Sequence, residues 1–302
     1  MSNYEETQPL VSVLMNCHNG SEFLIKAIDS VYAQTYSNWE IIFWDNVSTD
    51  DSSSIAQSYD NRLRYYLSEG FTSLGMAREL AVQKSNGEYI AFLDCDDFWH
   101  HSKLSMQIPL FFRHEDVGVV YSNYWIVNSE RKKIFSKKKL PIGDILDDLL
   151  GNDSVGFLTA IIKRRVFGKF LPFFNTRYNI IHDFDLMIRI SIEWKFSCVQ
   201  SPLASYRYHG ENETIVKSFE YTRELEEWID KNKSNSKISN QRNFYRRQVI
   251  LMYLRGIESI QNKEVKRAIC FLYKMPLCWE KMKLLVFILL PNSILRSIKS
   301  KP

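Results

Sequence analysis

The stretch NGEYIAFLDCDDFW, Asn86 to Trp99, is where the fold becomes legible. Asn86-Gly87 is read as the stop of the segment before it, since glycine is a common helix terminator. Tyr89 to Leu93 is an unbroken apolar run, the length of a strand buried on both faces. It delivers the chain to Asp94, Asp96 and Asp97, followed by the aromatics Phe98 and Trp99. Crowded carboxylates disfavour one another's ionisation, so something nearby must offset their charge. The D-x-D spacing alone allows three readings. It suits a divalent-cation site, since hard oxygen donors fit Mg2+ or Mn2+. It also suits an acidic phospho-acceptor pocket, or an acidic cap on whatever follows.

The segments upstream repeat the same unit. Leu10 to Met15, Trp39 to Trp44 and Leu63 to Leu67 are short apolar runs of strand length. Between them, Glu22 to Gln34 carries Phe23, Leu24, Ala27, Ile28 and Val31 at helical spacing. Ser48 to Ser52 offers hydroxyls and carboxylates for a helix start, continued by Ile55 to Tyr59. Ser73 to Ser85 is a third helix. Apolar strands alternating with amphipathic helices predict an α/β fold with a mostly parallel, Rossmann-like sheet flanked by helices. Ligands in such folds bind beyond the carboxyl ends of the strands. Asn16 to Asn19, Asp45-Asn46 and Asp94 to Asp97 all fall there, so three polar clusters are expected on one crevice.

Beyond Trp99 the pattern loosens. Leu104 to Phe112 reads as a helix and Val117 to Val127 as a strand, with Arg131-Lys132-Lys133 as a basic turn. A helix is expected over Phe184 to Trp194, and an extended segment over Val199 to His209. From residue 216 onward the chain reads as helical, and 18 Lys/Arg face 8 Asp/Glu there. The domain expectation is therefore 1–215 for the α/β part and 216–302 for a basic helical region. The first would divide into halves at about 10–100 and 101–215.

The bulk properties exclude several classes. The 302 residues are 45% hydrophobic and 25% charged, with a net charge of only +4. That is ordinary globular composition with no call for nucleic acid as a partner. Five cysteines without a CxxC pair argue against a disulfide framework or structural zinc, and fit a reduced, cytoplasmic location. No signal peptide is readable at the polar N-terminus. The apolar run Leu284 to Leu290 is far shorter than the ~20 residues of a spanning helix. MKLLVFILLPNSILRSIKSK instead pairs apolar residues with Lys281, Lys283, Arg296, Lys299 and Lys301. This suits either a peripheral contact with the inner face of an anionic membrane or an ordinary basic helix surface.

Six segments together resemble glycosyltransferase family 2, inverting enzymes with a GT-A fold. They are VSVLMNCHN (Val11 to Asn19), QTYSNWEIIFWDNVSTD (Gln34 to Asp50), SLGMAREL (Ser73 to Leu80), NGEYIAFLDCDDFW, HDFDLMIR (His182 to Arg189) and SYRYH (Ser205 to His209). The resemblance implies a metal-assisted transfer of a sugar from a pyrimidine nucleotide-sugar, expected to be UDP-linked. The acceptor would be a hydroxyl of a glycan or lipid-linked molecule. It implies that Asp94 and Asp96 hold Mn2+ or Mg2+, with Asp97 as support and His209 as a further ligand or a structural histidine. Asn16, His18, Asp45, Asn46, Arg78, Asp94 and Cys95 would line the nucleotide-sugar site. Asp183 would be the general base, with Asp185 capping or supporting its helix. Asn46 and His18 depart from the family's usual Asp and Tyr. An Asn carbonyl can accept from the imide of uracil or thymine, and its NH2 can donate to cytosine. His182, before the base, reads as a loop residue. Trp99 and Trp125 suit either a sugar face or the core. Two competing readings remain: a catalytically inactive relative that binds a nucleotide or partner, and a nucleotidyltransferase. The latter would need a basic, glycine-rich loop that NCHNGSEF does not supply.

Overall fold

The apolar runs become one half of a single mixed sheet. A computed structural model describes residues 8–128, 131–152, 154–168, 172–209, 212 and 217–289. Two compact units emerge, 1–216 and 217–302.

In the first unit, β1 (Val11–Cys17), β2 (Trp39–Asp45), β3 (Leu63–Leu67) and β4 (Tyr89–Phe92) run parallel. They alternate with α1 (Ser21–Tyr32), α2 (Ser52–Gln57) and α3 (Leu74–Lys84). Then come β5 (Phe98–Trp99), α4 (Lys103–Gln107), β6 (Val117–Val127) and β7 (Lys132–Ile134). They are followed by α5 (Leu146–Gly151), β8 (Ile161–Lys163), α6 (Arg164–Phe167), α7 (His182–Ser191) and β9 (Lys195–Arg207). The sheet order is β3-β2-β1-β4-β8-β6-β9-β5, with β7 beside β6. β8 enters antiparallel between β4 and β6. The result is a curled mixed sheet flanked by helices, as expected for a GT-A-like Rossmannoid fold.

Alternation of side chains along a strand sends neighbours to opposite faces. Val13, Met15, Ile41 and Phe43 meet Leu24, Ala27, Ile28 and Val31 of α1 in one core. Leu14 and Ile42 point the other way, to the side where α3 packs on β1 and β2. Ser73 starts α3 by accepting from the Met76 N–H at 3.3 Å. Parallel register sets Cys17 beside Asp45 and Leu14 beside Phe92. The chain segments leaving β1, β2 and β4 therefore emerge along one edge.

Three local expectations shift. The helix over 104–112 divides into α4 and a 3-10 turn, Ile108–Phe112, where Pro109 cannot donate to an α-helical bond. The basic turn is in part a strand, since Lys132 and Lys133 pair with β6. α7 begins at His182, two residues earlier than its apolar pattern suggests, because His182 is itself buried.

Two residues carry a cost with a measurable consequence. Val47 sits at φ +64°, in the left-handed region that a β-branched side chain strongly disfavours. Asn tolerates that region, so Val47→Asn should stabilise the fold by about 1 kcal/mol. A thermal melt at equal or lower midpoint would overturn this. Lys103 is fully buried; its Nζ has no hydrogen-bond partner among the described residues and lies 4.2 Å from the Trp99 ring centroid. Burial pushes its ammonium pKa well below the usual lysine range. The unfolded chain thus binds this proton more readily, and stability rises with pH up to lysine's ordinary value. Lys103→Met should be more stable at pH 7 by ~1–3 kcal/mol, with the gap closing towards pH 10. Denaturant unfolding at both pH values checks it.

The second unit contains α8 (Ser218–Asn232), α9 (Ser236–Ser239), α10 (Phe244–Gln261), α11 (Val265–Lys274) and α12 (Trp279–Leu289). Val249, Met275 and Leu284 form its small core. Gly256 lets α12 approach α10: a Cβ there would lie 2.6 Å from a methyl of Leu284. Among the described residues no helix is long and apolar enough to cross a membrane. Arg296, Lys299 and Lys301 lie outside the described residues.

Candidate active site

Asp94 leaves β4 just after Leu93, whose N–H still bonds to Leu14. One Oδ of Asp94 accepts from Arg78 Nη2 at 2.6 Å. Arg78 is a buried residue of α3, with its guanidinium 4.7 Å from the Phe157 ring centroid. Its Nη1 lies 2.7 Å from Nε2 of His182. Burial first, then the Arg78 charge, push His182 down to about 3, so the ring is neutral at ordinary pH. Arginine only donates, so Nε2 accepts and Nδ1 carries the hydrogen. That hydrogen is donated to the Asn179 carbonyl, 2.9 Å away.

Asp96 faces a different partner. Its Oδ2 lies 2.9 Å from His209 Nε2. Burial and the nearby Asp94 charge push the Asp96 carboxyl up. Asp97 is more deeply buried; burial, then Asp96 and Asp94, push it well up. It accepts from the Arg207 N–H at 2.8 Å, which ties the loop to the end of β9. Arg207 Nε also donates to the Asp96 carbonyl at 2.9 Å, and its guanidinium stacks over Phe23 at 4.3 Å.

The acids at α7 divide by role. Asp183 is half-buried in the first turn, with Oδ1 accepting from the Phe184 N–H at 2.7 Å. Helix N-termini favour an anion there. Asp185 is buried and paired with Arg189 at 2.8 Å. His182 is not a loop residue but the buried first residue of the helix.

The ends of β1 and β2 hold the remaining candidates. Asp45 is fully buried; it accepts from the Ser48 N–H at 2.7 Å and the Tyr65 hydroxyl at 2.7 Å. It shapes its own turn. Asn46 is clasped to Thr72: its carbonyl accepts from the Thr72 N–H and hydroxyl, and its NH2 donates to the Thr72 carbonyl. Both carbonyl lone pairs are occupied and one amide hydrogen is left, so in this arrangement Asn46 can donate to a base but not accept from its imide. Asn16 is buried, and its Nδ2 has no partner among the described residues. His18 is exposed; Nδ1 lies 2.9 Å from the Asn46 carbonyl and its ring meets Phe71 edge-on at 4.8 Å. Cys95 is half-buried; its Sγ and that of Cys17 both crowd Gly20. Trp99 is buried, with its indole N–H donating to the Leu158 carbonyl at 2.9 Å.

Among the described residues no group of three His, Cys, Asp or Glu side chains stands ready to hold a metal ion. The donor chemistry nevertheless fits one. Asp96 and His209 already converge, and burial, then the charge of Asp94, push the Asp96 carboxyl up, as crowded carboxylates do. Mg2+ and Mn2+ accept such oxygen-rich, incomplete sets when a substrate diphosphate supplies the rest.

Residues 12–170 match the family model described as glycosyl transferase family 2. The chain belongs to that family. It is 32% identical, over 185 residues, to the Escherichia coli enzyme WfgD, a UDP-Glc:alpha-D-GlcNAc-diphosphoundecaprenol beta-1,3-glucosyltransferase. That alignment covers 61% of this chain and 69% of the relative. It is also 30% identical to TuaG of Bacillus subtilis, a putative teichuronic acid biosynthesis glycosyltransferase, over 60% of this chain and 71% of that one. Two solved structures share the fold. TarS 1-349 of S. aureus in complex with UDP has a TM-score of 0.61 at 14% identity, covering 82% of this chain and 79% of its own. The mannosyltransferase PcManGT from Pyrobaculum calidifontis, in complex with GDP-Man and Mn2+, has 0.63 at 16%, covering 93% and 79%.

Four residues of this glycosyltransferase that contact these candidates escaped the sequence reading. Phe71 is 68% exposed beside His18, a flat apolar surface where a base can stack. Tyr65 holds Asp45, and Phe23 and Arg207 brace the acidic loop. Arg207 lay inside SYRYH, so its position was visible but its partner was not. Nothing local distinguishes the others, since each acts on a residue far away in the chain.

Proposed function

We propose that this glycosyltransferase moves a hexosyl group from a UDP-sugar to a hydroxyl of a glycan or lipid-linked acceptor. The observation that carries the reading is the continuous chain Asp94–Arg78–His182, at 2.6 and 2.7 Å, which ends one residue from Asp183. It joins the acids suited to a donor diphosphate to the carboxylate suited to deprotonating an acceptor. The transfer is a single inverting displacement. Asp183 takes the acceptor proton as its oxygen bonds to the anomeric carbon and the nucleoside diphosphate leaves. Asp96, with Asp94 and His209, would hold Mn2+ or Mg2+, which supplies Lewis-acid neutralisation of the leaving diphosphate. Arg78 and Arg207 add fixed positive charge beside it. Asn16 Nδ2 and the free Asn46 amide hydrogen offer donors to a pyrimidine, and His18 with Phe71 offers its stacking surface. Cys95 borders this pocket, and Asp45 shapes its floor.

Residues 10–100 would serve the donor, 101–215 the acceptor, and 216–302 a peripheral contact with the cytoplasmic face of a membrane. Support for the last comes from Leu277, Trp279 and Leu289, 88%, 69% and 73% exposed, beside Lys281 and Lys283. WfgD, by its name, uses UDP-Glc and a diphosphoundecaprenol-linked acceptor, which supports both the donor and the lipid-linked class.

The test is a thermal-shift series with nucleotides and nucleotide-sugars, with and without Mn2+ or Mg2+, followed by a transfer assay. UDP and a UDP-sugar should raise the melting midpoint most, with a divalent ion adding to the shift. Saturation at a hundred times Kd is worth about 2.7 kcal/mol. A shift with purine nucleotides alone, or with none, would sink the reading.

A further inference from the structure

We propose that His182 is a positioning residue that locks Arg78 in the orientation engaging Asp94, so that the donor site and the helix bearing Asp183 are set together. This rests on the transfer reading above. A buried guanidinium is tolerated only when its N–H groups find partners, because an unpaired charged donor out of water is costly. Arg78 has two at its tips. Nη2 takes Asp94 at 2.6 Å and Nη1 takes His182 at 2.7 Å, while Phe157 covers its face at 4.7 Å. The two partners lie 88 positions apart in the chain, one just beyond β4 and the other at the first residue of α7. Arg78 is therefore a strut between them, and its direction is set by which partner is present at each tip.

The imidazole is well placed for this because its own freedom is removed. Nδ1–H is held by the Asn179 carbonyl at 2.9 Å, and Phe174 meets the ring edge-on at 5.6 Å. Gly75 brings α3 against it: a Cβ there would lie 3.3 Å from His182 Cγ. Nε2 is left as a fixed acceptor pointing at Arg78. A neutral acceptor also takes no share of the guanidinium's charge by ion pairing. A carboxylate there would form a second buried salt bridge, drawing Arg78 away from Asp94. With an imidazole, the whole charge stays on the donor side, available to Asp94 and to an arriving diphosphate.

Three variants separate positioning from packing. His182→Leu keeps apolar bulk beside Phe174 and loses the acceptor. His182→Gln places a carbonyl oxygen near the former Nε2 and restores it. Gly75→Ala presses on the ring and leaves every hydrogen-bonding group in place. Melting midpoint, UDP-sugar KM, kcat and the Mn2+ concentration for half-maximal thermal shift with UDP would be measured for each. Loss of one hydrogen bond to a charged group corresponds to about a tenfold effect or more. His182→Leu should therefore raise the donor KM and the half-maximal Mn2+ concentration at least about tenfold, and lower kcat. His182→Gln should recover most of both, and Gly75→Ala should fall between. Equal defects in the Leu and Gln variants, or losses that follow the melting midpoint alone, would overturn the inference while leaving the transfer reading intact. No nucleotide response in the unsubstituted protein would instead overturn the transfer reading, and this inference with it.

Discussion

Asp183→Asn should slow sugar transfer by orders of magnitude while leaving donor binding unchanged. The substitution keeps the side chain's size and its acceptance from the Phe184 N–H, now through the amide oxygen. It removes the negative charge that takes the acceptor proton. General-base catalysis is worth about 10²–10⁴ in rate, so kcat should fall by that factor. Donor KM and the UDP-dependent thermal shift should stay within about twofold, because Asp183 has no part in holding the nucleotide in this reading. Asp185→Asn is the control two residues away. It breaks the buried pair with Arg189 and should lower the melting midpoint, with kcat falling far less at a temperature where both variants are folded. Should the two variants lose kcat equally, or Asp183→Asn retain it, the assignment of the base is wrong.

The second large effect concerns the acidic loop. Asp96→Ala should lose the divalent-ion contribution to the UDP thermal shift and reduce transfer by at least about a hundredfold, as expected for removing a preorganised charge-stabilising group. Two features make Asp96 the telling position. It meets His209 at 2.9 Å, and burial together with Asp94 pushes its carboxyl up, so a cation bound there would favour the charged form. Asp94 is already matched by Arg78, and Asp97 by the Arg207 backbone N–H. The removal of a charge from a crowded site also relieves repulsion, so the melting midpoint in the absence of metal should hold or rise. A variant that still shows an undiminished Mn2+ or Mg2+ effect would displace Asp96 from the ion. Chelator treatment of the unsubstituted protein should reproduce the activity loss, and returned Mn2+ should restore it only where Asp96 is present.

Much of this was open to the sequence. The strands Val11–Cys17, Trp39–Asp45 and Tyr89–Phe92 are local patterns of mostly apolar residues, as a strand buried on both faces requires, and Leu63–Leu67 is a shorter, partly exposed run at the sheet's edge. Their polar ends were equally legible, because a parallel sheet exposes its loops at one edge. Helix bounds were less so: His182 is buried but scores as polar, and Pro109 interrupts a run that apolar spacing alone would extend.

The sequence by itself determined which residues stand at the strand ends: Asn16, His18, Asp45, Asn46, Asp94 and Asp96 follow from the apolar runs and nothing more remote. Only the tertiary structure decided what each is free to do. Asp45 is spent on Ser48 and Tyr65, Asn46 on Thr72, Asp94 on Arg78, and Asp96 on His209. The physical reason is the reach of the two kinds of information. Apolar periodicity acts between neighbours a few positions apart and can be read along the chain. A hydrogen bond such as Arg78–His182 or Asp96–His209 joins groups more than a hundred positions apart, and exists only once the sheet has brought them together.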